Sequence, residues 1–151
     1  MTYLVYPIRK PDYRLRLVTL FYGLLLFIWL TPENDSVGVA VVLGGALAVL
    51  VVLWGVRSWA AERAVPARYL PAAGVLAGAV SGVGSALAAG GLMFFKNALH
   101  AHAFWDYPPL LIAGVLERAP AWGMAGGLVG LGLAFIWVWQ HSRPKVDIQE
   151  G

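Results

Sequence analysis

The sequence has no cysteine, and only 13% of its 151 residues are charged, against about 25% in an ordinary soluble domain. Without cysteine there is no disulfide, thiolate nucleophile or thiolate metal ligand, and the redox compartment stays open. The shortage of charge excludes a water-soluble globule, which needs polar groups over much of its surface. Catalytic signatures are missing as well: no Gly-x-Ser-x-Gly elbow, no phosphate-cradling loop ending in Lys-Ser/Thr and no His-Glu-x-x-His. There are three histidines, none at membrane depth, so a haem held between facing histidines is not expected.

What is present is apolar: 60% of the chain is hydrophobic. A bilayer core about 30 Å thick needs about 20 mostly apolar residues in helix. Four stretches meet or approach that length: 15–31, 36–56, 70–95 and 119–139. The first opens on Arg14 and Arg16, whose stems can lie along acyl chains while their heads reach phosphate. Pro32 ends it, and Asp35 or Ser36 is placed to cap the second. No small-x-small cleavage site follows Leu30, so the first stretch is expected to be an uncleaved helix. Away from their ends the four stretches contain no Asp, Glu, Lys, Arg or His. An ion-coupled transporter usually keeps such a group in its bundle.

The expected fold is therefore all-α: an integral membrane four-helix transmembrane bundle forming a single transmembrane domain. A short interfacial or re-entrant helix over 109–118 is expected between the third and fourth spans. Pro109 suits its first turn and Pro120 would stop or kink it.

With four spans, the N-terminus, the 57–69 loop and the tail share one side. That side carries Arg9, Lys10, Arg14, Arg16, Arg57, Arg63, Arg68, Arg143 and Lys145, nine of the eleven basic residues. Basic residues are retained in the cytoplasm during insertion, so both termini are expected there, with the protein in the cell (inner) membrane. Trp54, Trp59, Trp137 and Trp139 mark the same interface. The net charge of +3 is scattered between apolar runs rather than gathered into a face for phosphate, so no nucleic-acid partner is expected. The expected partners are the lipid bilayer and helices of other membrane proteins, through homo- or hetero-oligomerisation.

Most of the eighteen glycines lie inside the spans. Positions 74, 78, 82, 86 and 90 read Gly74, Gly78, Gly82, Ala86 and Gly90. The adjacent row reads Ala77, Ser81, Ser85 and Ala89. Residues four apart share a helix face, so the third span carries a ridge almost without side chains. Gly123, Gly126, Gly127 and Gly130 stand in similar relation in the fourth. One Gly-xxx-Gly arises easily by chance; five small residues in succession point to close packing of the two spans. The alternative use of the missing side chains is room for a flat ligand such as a quinone, carotenoid or chlorophyll. Ser81 and Ser85 are expected to bond carbonyls of their own helix.

One polar cluster could carry chemistry: Lys96, Asn97, His100, His102, Trp105, Asp106 and Tyr107. His100, His102 and Asp106 are suitable donors for zinc or copper. Residues two apart on a helix diverge by about 200°, however, so the histidines share a metal only on extended chain. In the plainer reading Lys96 snorkels outward, Trp105 and Tyr107 anchor at the interface, and the histidines meet headgroups or backbone carbonyls. A histidine pair there is also suited to sensing external pH. The pattern requires no cofactor. Three classes of function remain: a non-catalytic subunit or assembly factor of a membrane complex; a small oligomeric pore or transporter; and a membrane enzyme or metal, pigment or quinone protein using the outer cluster. The first asks least of the residues, because it needs no buried charge.

Overall fold

The computed structural model describes residues 5–7, 12–32, 36–59, 64–100 and 105–141. It is an all-α bundle with four helical segments long and apolar enough to cross a membrane. The helices are α1 (Tyr13–Leu30), α2 (Val37–Trp59), α3 (Leu70–His100), α4 (Pro109–Leu116) and α5 (Ala119–His141). A 3-10 turn over Ala67–Tyr69 leads into α3. Sequence reading did not anticipate a small antiparallel ribbon, β1 (Val5–Pro7) on β2 (Ala64–Pro66), with Tyr6 opposite Val65.

Local chemistry sets the helix ends. Asp12 caps α1, its carboxylate accepting the Leu15 N–H at 3.1 Å, and also takes Arg57 at the end of α2 at 3.1 Å. The start of α1 and the end of α2 therefore meet. Ser36 begins α2, its Oγ accepting the Val39 N–H at 3.4 Å; Asp35, the other candidate cap, lies outside the described residues. Pro109 occupies the first turn of α4, where its missing N–H is harmless.

α3 is the central helix, with α2 on one side and α5 on the other. α1 flanks α2 and buries a single stripe, Leu15, Tyr22 and Trp29, at seven-residue spacing. The Tyr22 hydroxyl donates to the Leu43 carbonyl at 3.0 Å, and Trp54 Nε1 donates to Thr19 Oγ1 at 2.9 Å. α2 turns Ala40, Gly44 and Ala48 inward. A methyl group on Gly44 would overlap the backbone of Ala89, so α2 and α3 touch at the main chain.

α4 and α5 lie end to end beside α3 in one antiparallel register. Tyr107 meets Asn97, Leu116 packs on Gly90, Trp122 on Gly82, Gly126 on Gly78 and Gly130 on Gly74. Each step forward on one side is a step back on the other. The short helix thus dips along the bundle wall in line with α5. The join is a tightened turn in which the Arg118 N–H bonds the Val115 carbonyl at 3.2 Å. It falls there because residue 120 is proline, which cannot donate to the Leu116 carbonyl.

Candidate functional site

The polar cluster gathers at the end of α3, and four local facts assemble it. α3 runs on to His100, five residues past the expected end of its span, so Lys96, Asn97 and His100 are all helical. The face that buries Ala86, Ala89 and Met93 continues through Lys96 at helical spacing. Residues 105–108 return across the helix end. The last turn of α1 delivers Trp29 from the far side of the bundle.

Asn97 holds the returning chain by its main chain. Its Oδ1 accepts the Tyr107 N–H at 2.9 Å, and its Nδ2 donates to the Tyr107 carbonyl at 2.7 Å. One amide side chain thereby pairs the Tyr107 main chain as a neighbouring strand would. Tyr107 is fully buried, and its hydroxyl points to the Ser36 carbonyl at 3.4 Å. The same residue therefore links α3 to the start of α2. One turn beyond Lys96, His100 Nδ1 meets Asp106 Oδ2 at 2.5 Å, with the carboxylate side chain 6% exposed.

Lys96 overturns two expectations. It does not snorkel: it is 0% exposed, with Nζ 4.7 Å from the centroid of the Trp29 ring. The bundle therefore does contain an ionisable group. The physical reason is the cover: Trp29 and Tyr107 close over a helix face that the sequence leaves ending in a cation. A desolvated cation over an indole ring gains about 2 kcal/mol. Burying the ammonium carries its own desolvation cost, and among the described residues Trp29 Nε1 is buried without a hydrogen-bond partner.

Of the three proposed metal ligands, the structure brings together His100 and Asp106, which bond each other directly. His102 lies outside the described residues. Among the described residues no group of three His, Cys, Asp or Glu side chains converges. Trp105 is exposed.

The glycines singled out in sequence face neighbouring helices of the same chain. Methyl groups on Gly78 and Gly126 would each overlap the other's carbonyl, as would those on Gly74 and Gly130. Gly82 lies against the Trp122 carbonyl, Gly123 against the Val83 side chain, and Gly127 against Val75 and Ala79. Gly90 faces α4 instead, 2.8 Å from Leu116 Cδ2 when a Cβ is placed on it. The room left by the absent side chains is taken by backbone at Gly74, Gly78, Gly82, Gly126 and Gly130, and by neighbouring side chains at Gly90 and Gly123. Ser81 and Ser85 donate to the carbonyls of Ala77 and Ser81 at 2.8 and 2.7 Å, as expected.

Sequence reasoning missed Trp29 as the cover of Lys96, and missed Gly44. The second had a signal: Ala40, Gly44 and Ala48 repeat the spacing of four that marks α3. No protein-family model, curated protein or solved structure matches the chain.

Proposed function

We propose that this is a multi-pass membrane protein acting as a non-catalytic subunit or assembly factor of a membrane complex. One observation carries the reading. Asn97, Tyr107, His100 and Asp106 engage one another and nearby backbone, so the groups that read as candidate chemistry hold the α3–α4 connection in place. What the molecule presents outward is apolar helix surface, with Leu20, Phe27, Val42, Leu76, Leu128 and Leu133 all more than half exposed. That surface suits lipid and the helices of other membrane proteins.

The positive-inside asymmetry favours both termini in the cytoplasm of a cell (inner) membrane. Consistent with it, the start of α1 and the end of α2 lie together. A tagged chain purified in mild detergent is expected to bring down membrane proteins in fixed stoichiometry. Recovery of the chain alone from native membranes, under conditions that preserve known complexes, would overturn the subunit reading. A reporter fused after Gly151 is expected in the cytoplasm.

A second reading, a small oligomeric transporter or pore, is favoured by Lys96, because ionisable groups inside a bundle commonly serve transport. It predicts that Lys96→Met abolishes a transmembrane flux while the bundle still folds.

A further inference from the structure

The antiparallel register beside α3 also fixes the depth of every residue in α4 and α5. Gly90 pairs with Leu116 and Gly82 with Trp122, so Glu117 and Arg118 lie opposite Leu87 and Ala86. Gly44 against Ala89 and Ala48 against Gly84 extend the same ruler to α2. Ser36 then stands level with Lys96, and Arg57 level with Val75. Glu117 and Arg118 fall about midway between those polar ends, some 15 Å from each at 1.5 Å per residue. Measured on the apolar run of α3 alone, they are still within about one helical turn of its middle. The α4–α5 join therefore sets one acid and one base near the centre of the bilayer.

Both side chains are exposed, and among the described residues neither makes an ion pair or a side-chain hydrogen bond. They do not neutralise each other: in the turn between α4 and α5 no ion pair joins the two side chains. The other charged groups near that end, Lys96, His100 and Asp106, lie within about one turn of one another and at least about 13 Å further along the bundle. Charges at this depth are ordinarily buried in a protein contact or paired. Ala113, Gly114, Ala121 and Ala125 beside them are small and leave room for a second helix, between the exposed side chains of Leu110, Leu116 and Met124. Arg118 also lines an open groove with Val37, Leu111, Gly114 and Val115.

We propose that the α4–α5 join is a self-association surface, at which Glu117 of one copy pairs with Arg118 of a second copy and the second copy's Glu117 with the first copy's Arg118. Two-fold symmetry requires a patch complementary to itself. One acid beside one base, with small residues a turn away on either side, meets that requirement. Two ion pairs then form where four charges would otherwise face lipid. The assignment rests on the membrane embedding of the bundle and is independent of which complex the chain joins.

Purified protein in phosphatidylcholine vesicles tests it, with dimer fraction read by single-molecule photobleaching across a dilution series. The wild type is expected to dimerise. Glu117→Arg and Arg118→Glu, each alone, should weaken the dimer at least tenfold, and mixing the two variants should restore pairing between them. Because the chain has no cysteine, Ala121→Cys supplies a second measurement without charge reversal. It should cross-link to itself under mild oxidation, whereas Val42→Cys, exposed on α2, should not. A monomeric wild type, a dimer that survives both reversals, or a mixture that fails to pair would overturn the proposal. So would Arg118 being satisfied by added anionic lipid with no dimer formed.

Discussion

The two flanks of the bundle are closed by opposite means. α5 meets α3 through glycines set so that main chain touches main chain. α1 meets α2 through Leu15, Tyr22 and Trp29, large side chains seven residues apart, with a hydroxyl and an indole bonding across the gap. A main-chain contact has nothing flexible to give way, so any added side chain forces the helices apart. A contact made by side chains can repack when one is trimmed. The difference predicts where the fold is brittle.

The largest effect is expected at the brittle flank. Gly78→Leu should destabilise the bundle at or beyond the upper end of the about 1–3 kcal/mol typical of overpacking, because its Cβ meets only backbone. Gly132→Leu on α5 is the control: among the described residues nothing lies within 4 Å of where its Cβ would stand, so stability should move by no more than about 0.5 kcal/mol. Thermal unfolding of both variants in one detergent makes the comparison, and equal losses would break it. Next comes Asn97→Ala, which removes the Asn97 amide from the N–H and C=O of buried Tyr107. Each unmet group costs about 1–3 kcal/mol, and faster hydrogen exchange over residues 105–116 should report the freed connection.

On the tolerant flank Tyr22→Phe keeps the ring and loses one bond to the Leu43 carbonyl. A loss near 1 kcal/mol is expected, measured by the same unfolding assay; a loss as large as that of Gly78→Leu would erase the contrast between flanks. The smallest effect belongs to Asp12. The Leu15 N–H, and then Arg57, hold its carboxyl below the usual carboxylate range. A depressed value means that its contribution is fully present above the range of an unfolded aspartate and disappears as pH falls through the folded value. A slight decline in stability below about pH 4 is expected. Asp12→Asn should keep the cap and flatten that decline.

The spans were legible because hydropathy and length are one-dimensional properties, and the caps and turns at Ser36, Pro109 and Pro120 because their chemistry is local. The faces of α3 and α5 were legible from spacing alone, since a run of small residues four apart has few uses other than close approach. Lys96 was not legible. Its burial depends on Trp29, distant in sequence, arriving over it, and on Tyr107 folding back. No periodicity within α3 distinguishes a cation that reaches water from one that is covered. Glu117 and Arg118 close the short helix expected over 109–118; their level along α3 needed the partner residues on that helix, which only the packed structure supplies. Of the candidate metal set, the contact between His100 and Asp106 depended on how residues 105–108 return across the helix, which spacing alone left open.

The glycine flank has one further consequence. Glycine and alanine have no rotamers to freeze, so α3 and α5 can join without the loss of side-chain freedom that accompanies most buried contacts, up to about 2 kcal/mol for a long side chain. The union of those helices thus combines close main-chain contact with little surrendered side-chain disorder.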